Sequence, residues 1–298
     1  MSKYLIVIAG PTAVGKTELA ISIAKEFHTE IISADSRQFY KEMNIGTAKP
    51  LKEQLDEIKH HLVNSLSIIE NYNAGLFEKD ALNILNDIYK KNDFAVMVGG
   101  SGLYINAVCY GINEMPETSS EIRNELSDKY AKEGLQVLQE ELKNVDLDYY
   151  NKVDLSNPHR IIRALEVYRN TGIPYSTFLN KEKKQRPFKI IKIGLNIDRK
   201  ELYKRINNRV DDMINSGLEE EVKALSKFKN HNAMQTVGYS EWFDYFDGKT
   251  SLERVIELIK QNSRRYAKRQ LTWFNKDKEI KWFLPDEKAK IINYIREK

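Results

Sequence analysis

Residues 10–17, GPTAVGKT, carry the spacing G-x-x-x-x-G-K-[ST]. In that pattern Gly10 and Gly15 let the backbone wrap around the loop Pro11, Thr12, Ala13 and Val14, whose N–H groups, absent only at Pro11, turn inward toward phosphate oxygens. Lys16 adds a full positive charge, and the Thr17 hydroxyl can face a magnesium ion. A second polar cluster follows an apolar run in IISADSRQFY, residues 31–40, where Asp35, Ser36, Arg37 and Gln38 stand side by side. By chemistry alone, Asp35 can be a magnesium ligand, a base toward a substrate hydroxyl, a base toward a nucleophilic amine, or a turn or capping residue.

These groups need a scaffold. YLIVIA (4–9) reads as a buried strand entering the glycine turn, and Leu19, Ala20, Ile23, Ala24 and Phe27 mark one face of the helix that leaves it. EIISA (30–34), FAVMVGG (94–100), KIIKIGLNI (189–197) and IKWFL (280–284) read as further strands, with a helix at Phe77, Ala81, Ile84, Leu85 and Ile88. Strands alternating with helices and lacking hairpin spacing predict an α/β fold: a P-loop NTPase-like parallel sheet covered by helices on both faces. Strands end at the edge where such sheets bind ligands, which places the P-loop and Asp35 together.

Residues 113–187 read as an inserted all-helical subdomain between the halves of the core, 1–112 and 188–298. Thr118 with Glu121 predicts a capping box, Asn157-Pro158 a helix start and Gly172 a helix end. The strand at 94–100 ends in Gly99, Gly100, Ser101 and Gly102, without the acid that P-loop ATPases place there. That disfavours a motor, and the glycines suggest a backbone surface against which a ligand lies closely.

Hydrophobic residues make up 41% and charged residues 30% of the 298, the profile of a soluble globular protein. No apolar run has the length of a membrane span and the start resembles no leader peptide, so the expectation is a cytoplasmic protein with no membrane partner. Cys109 is the single cysteine, which excludes an internal disulfide and a thiolate zinc site. Residues 1–180 hold 19 basic and 25 acidic side chains, whereas 181–298 hold 28 and 18. The basic C-terminal part predicts a polyanionic partner.

ADSRQFYKEMNIGTAKP (34–50), GGSGLY (99–104), RIIRALEVYRNTGIP (160–174), TVGYSEW (236–242) and RRYAKRQLTWF (264–274), in this order behind GPTAVGKT, resemble the bacterial tRNA dimethylallyltransferase (tRNA isopentenyltransferase) family over nearly the whole chain. The resemblance implies transfer of a dimethylallyl group from dimethylallyl diphosphate to the exocyclic amine of the adenosine 3′-adjacent to the anticodon, with Mg2+. It implies that residues 10–17 hold the diphosphate, that Asp35 is the base, that Thr17 binds magnesium, and that Arg209 reaches the diphosphate from the other side. It also implies contacts to the tRNA anticodon stem-loop from Asp35, Ser36, Arg37, Gln38, Ser101, Arg123, His159, Arg160, Ile161, Ile162 and Arg163. Ser101 stands where the family usually has threonine, and His159 where it often has glutamine. With one cysteine and an end at Lys298, the zinc-finger tail of eukaryotic relatives is not expected here. A monomer is expected.

The residues support parts of this independently. Leu202, Ile206 and Val210 form a helical stripe, with Arg205 and Arg209 on its flank. Arg264, Arg265, Lys268 and Arg269 form a basic arc beside an apolar stripe of Val255, Ile259 and Tyr266, suited to RNA phosphates. Ser36, Arg37 and Gln38 have the paired donors and acceptors that read base edges. The competing expectation is a small-molecule P-loop kinase with Asp35 as hydroxyl base.

Overall fold

A computed structural model describes residues 2–179 and 183–298. The first half of the core holds β1 (Tyr4–Ala9), α1 (Lys16–Glu26), β2 (Ile31–Ser33), α2 (Lys52–Glu57), β3 (His60–His61), α3 (Ala74–Tyr89), β4 (Phe94–Gly99) and α4 (Gly102–Tyr110). The helical segment holds α5 (Ser120–Glu133), α6 (Leu135–Val145), α7 (Leu147–Tyr150) and α8 (Pro158–Thr171). The core resumes with β5 (Lys189–Leu195), α9 (Arg199–Asn215), α10 (Leu218–Leu225), α11 (Trp242–Phe246), α12 (Leu252–Phe274), β6 (Lys281–Phe283) and α13 (Lys288–Arg296).

The six strands form one sheet in the order β3-β2-β4-β1-β5-β6, with every ladder parallel. Alternation along β1 sends Leu5, Val7 and Ala9 to one face, where Phe77, Ala81 and Leu85 of α3 and Ile105 of α4 cover them. Ile6 and Ile8 point to the other face, against Leu19, Ile23 and Ala24 of α1, Leu202 and Ile206 of α9, and Ile291 of α13. Burial on both faces is why these strands read as continuous apolar runs. The edge strand β3 has no such run and was not expected; its backbone pairs Ile31 with His60 and Ile32 with His61. A third cluster joins Tyr40 and Met43 to Val210, Val222, Tyr239, Trp242, Val255 and Ile259, beyond the sheet.

The chain divides into two compact units, Met1–Tyr110 with Gln185–Lys298, and Gly111–Lys184. The sequence reading put the inserted unit at 113–187, a span that includes residues 180–182, outside the described ones. The inserted unit has its own core of Leu126, Leu138, Leu142, Ile161, Ala164 and Leu165. Asn157 caps α8 by accepting from the Arg160 amide, and Gly172 closes it in the left-handed region at φ 71°. The cap of α5 is Ser119 and not Thr118: Ser119 Oγ accepts from the Ile122 amide, and Thr118 serves an arginine instead. Among the described residues no helix is long and apolar enough to cross a membrane.

Candidate active site

β1 runs straight into the phosphate loop. Gly10 has φ 146° and lies so close to β5 that a Cβ there would sit 2.6 Å from the Leu195 carbonyl oxygen. Gly15 opens α1, so the loop amides and the helix N-terminus share one side of the sheet edge. Lys16 Nζ donates to the Pro11 carbonyl at 2.6 Å. Burial pulls the Lys16 pKa down to about 7; the Asp35 carboxylate opposes this and the Arg209 guanidinium adds to it.

Two long-range side chains hold the loop. Gln270 of α12, 5% exposed, accepts from the Thr12 amide at 2.9 Å and donates to the Gly100 carbonyl at 3.0 Å. Arg209 of α9 donates from Nη1 to Thr12 Oγ1 at 3.2 Å and from Nη2 to the Ala48 carbonyl at 3.5 Å. Burial lowers the Arg209 pKa from its ordinary value, against the attraction of Asp35. The glycines at the end of β4 are each required by close packing within the chain, and Gly99 also lines the cavity beside the phosphate loop. A Cβ on Gly99 would meet the Ala34 backbone, on Gly100 the Gln270 amide, and on Gly102 the Trp273 indole, each nearer than 2.5 Å.

Asp35 lies just beyond β2, and its Oδ1 accepts from the Arg37 amide at 3.0 Å. The Ser36 amide donates to Ser101 Oγ at 3.1 Å, and Ser101 Oγ donates to Ser36 Oγ at 3.2 Å. The Tyr266 phenol is pushed up to about 12, first by burial and then by the Asp35 charge. Gln38 is engaged within the protein: its Nε2 donates to the Thr47 and Ala48 carbonyls at 3.3 and 3.1 Å, and its Oε1 accepts from Ser33. It therefore shapes the loop at 47–48, while Ser36 and Arg37 line open space.

Two cavities meet here. One, of about 400 Å³, is lined by Gly15, Lys16, Thr17, Gln38 and Gly99. The other, of about 320 Å³, is lined by Ser36 and Arg37 and by apolar Ile206, Val210, Met213, Val237 and Ile259. Thr12, Asp35, Arg209 and Tyr266 belong to both walls. An anion held by Lys16 and Arg209 would thus lie on one side of Asp35, with an apolar-walled chamber on the other. Tyr266, expected in the buried stripe of α12, instead faces this junction; Val255 and Ile259 occupy the core as expected. Tyr266 and Gln270, four residues apart on α12, are the site residues that the sequence reading passed over.

The basic candidates divide. Arg265, Lys268 and Arg269 are exposed along α12, whereas Arg264 Nη1 donates to Asn207 Oδ1 at 2.6 Å and ties α12 to α9. In the inserted unit His159 and Arg160 are exposed at the start of α8. Arg163 donates to Thr118 Oγ1 at 2.8 Å and pairs with Glu166 at 3.2 Å, and Arg123 pairs with the same carboxylate at 3.4 Å. Glu166 is wholly buried, so it aims both guanidiniums. The Ile161 and Ile162 side chains, expected among the tRNA contacts, are 0% and 7% exposed and pack in the unit's core, where they support α8.

Among the described residues no group of three or more His, Cys, Asp or Glu side chains could hold a metal ion. The donor set fits a cation that takes most of its ligands from phosphate oxygens and water, with Thr17 at the cavity wall.

Comparison with known proteins gives one consistent group. Residues 38–277 match the IPP transferase family. The chain is 49% identical over its full length to a tRNA dimethylallyltransferase of Cytophaga hutchinsonii, covering 98% of that protein. It is 54% identical, again over its full length, to one of Christiangramia forsetii, covering 99%. Among solved structures it resembles a tRNA isopentenylpyrophosphate transferase of Bacillus halodurans, with TM-score 0.73 and 37% identity over 100% of this chain and 96% of that one. It also resembles a eukaryotic dimethylallyltransferase acting on tRNA, with TM-score 0.76 and 30% identity over 91% of this chain and 70% of that one.

Proposed function

The chain belongs to the IPP transferase family and transfers a dimethylallyl group to tRNA, and from that premise we propose how its residues divide the reaction. The donor is dimethylallyl diphosphate, and the acceptor is the exocyclic amine of the adenosine 3′-adjacent to the anticodon. The loop amides, Lys16 and Arg209 hold the diphosphate, where they stabilise charge that grows as the carbon–oxygen bond breaks. The amine lone pair forms the new bond to the allylic carbon, the electron pair of the broken bond leaves with the diphosphate, and Asp35 takes the amine proton. Bound Mg2+, held by Thr17 and the diphosphate, would add positive charge beside the leaving group. Tyr266, kept protonated, offers a phenol proton at the wall that Asp35 shares between the two cavities.

The observation that carries this reading is the shared wall. Asp35 borders both the phosphate-loop cavity and the apolar-walled chamber, where an amine and an allylic carbon can approach each other. A target base must leave its stack to reach such a chamber, and Ser36 and Arg37 stand where they can read it. The exposed Arg265, Lys268 and Arg269 are suited to RNA phosphates on one unit, and His159, Arg160, Arg163 and Arg123 on the other.

The test is nucleoside mass analysis of unmodified tRNA after incubation with the protein, dimethylallyl diphosphate and Mg2+. The expected product is dimethylallyl-adenosine from the position after the anticodon, absent when that adenosine is replaced by guanosine. Equal transfer to free AMP, or no product, would overturn the proposal.

A further inference from the structure

The segments NIGTAK (44–49) and TVGYSEW (236–242), to which no chemical role has yet been given, meet at one carboxylate. Glu221 of α10 accepts from three successive backbone amides. Its Oε2 takes those of Asn44 and Ile45 at 3.0 and 2.9 Å, and its Oε1 takes that of Gly46 at 3.1 Å. Tyr239, 0% exposed, donates its hydroxyl to the same Oε1 at 2.6 Å. Burial, followed by the Glu221 charge, raises the Tyr239 pKa, so the phenol stays a donor.

Consecutive amides converging on one anion form a nest, the arrangement by which loops bind phosphate. Here the occupant is a side chain from a distant helix. Its clasp explains Gly46, where a Cβ would lie 2.4 Å from the Tyr239 ring. The clasped loop continues directly into Thr47 and Ala48. The Ala48 carbonyl accepts from Arg209 and from Gln38, and both loop residues line both cavities. A line of contacts therefore runs from Glu221 through residues 44–48 to the guanidinium that faces the phosphate loop.

We infer that Glu221 is a positioning residue for the reaction: by holding the 44–48 loop in its amide nest, it sets the aim of Arg209 on the diphosphate. This rests on the reading of Arg209 as a diphosphate ligand. A neutral amide at this position accepts fewer of the four donors, and an alanine leaves all of them to water.

The test compares wild type with Glu221→Gln and Glu221→Ala by two readouts. Steady-state transfer should show kcat/KM for the donor falling by about 10²-fold, the effect expected of a misplaced binding group, with tRNA affinity unchanged. Binding of inorganic diphosphate, followed by calorimetry, should weaken by about tenfold, consistent with loss of one well-aimed charged hydrogen bond. Sodium formate should restore much of the activity of Glu221→Ala by re-occupying the nest, an effect that general loosening of the fold would not give. Tyr239→Phe, which keeps the ring and removes one of four donors, should show the same pattern more weakly and serves where the Glu221 variants fold poorly. Wild-type kinetics and diphosphate affinity in Glu221→Gln, or in Tyr239→Phe where that variant is used, would overturn the inference. So would a loss in Glu221→Ala that formate leaves untouched. A wild type that binds diphosphate but transfers no dimethylallyl group would refute the proposed function instead, and the binding arm would still judge Glu221.

Discussion

Replacing Asp35 by asparagine removes a negative charge and a proton acceptor while leaving an oxygen to accept from the Arg37 amide, now at 3.0 Å. The turn after β2 should therefore survive, and the effect should fall on chemistry. A positioned base contributes on the order of 10²- to 10⁴-fold, or about 3–5 kcal/mol of barrier. The effect on donor binding is smaller because two consequences oppose each other. Loss of the Asp35 charge lets the Lys16 pKa fall further, weakening its hold on an anion near neutral pH, but it also removes a carboxylate from the neighbourhood of that anion. The expected signature is a large fall in kcat with donor affinity within about tenfold of wild type, the pattern of an interaction made mainly in the transition state. Single-turnover transfer from labelled donor to saturating tRNA measures the chemical step, and calorimetry with the donor measures binding. A rate for Asp35→Asn within about fivefold of wild type would refute the base assignment, because such an effect lies below the range for a working base.

Lys16 predicts a proton linkage. With its pKa drawn down to about 7 by burial, it is mostly neutral at pH 8, and an arriving diphosphate favours the charged form. The complex then binds more protons than the free protein, so binding at pH 8 should take up a substantial fraction of a proton and affinity should decline as pH rises above neutrality. Calorimetry in two buffers of different ionisation enthalpy reads this, and no uptake would contradict it. Gln270→Met keeps the volume but leaves the Thr12 amide without its partner at 2.9 Å, at a cost of about 1–3 kcal/mol. A melting temperature lower by several degrees and a raised KM for the donor are expected; an unchanged Tm would show that water replaces the amide fully.

The parts legible in the sequence are those set by local spacing. The phosphate loop needs eight consecutive residues between a strand and a helix, and the structure has them in that setting. Asp35 was legible because it follows an apolar run at the edge where such sheets bind ligands. Arg209 was legible only through the family resemblance, because the three-residue apolar stripe places it on a helix flank without saying what it faces. What escaped was long-range. Tyr266 has the spacing of a core aromatic and only tertiary packing turns it toward Asp35, while Gln270 is a buried amide whose partners lie 258 and 170 residues away. At Ile161 and Ile162 a motif was carried over whole, whereas helical period separates these two side chains, in the core, from Arg160 and Arg163 beside them. The glycines at the end of β4 suggested a ligand surface, and Gly99 does line the phosphate-loop cavity, but their close approach to Ala34, Gln270 and Trp273 is long-range and no single-sequence pattern reveals it.

The central claim is that the phosphate loop holds what leaves while Asp35 serves what attacks. A donor labelled with carbon-14 in the dimethylallyl group and phosphorus-32 in the diphosphate tests it in one measurement. After incubation with unmodified tRNA, all of the acquired label should be carbon-14, with phosphorus-32 released as inorganic diphosphate in equal amount. Phosphorus-32 in the tRNA, or carbon-14 remaining wholly with the diphosphate, would contradict the account.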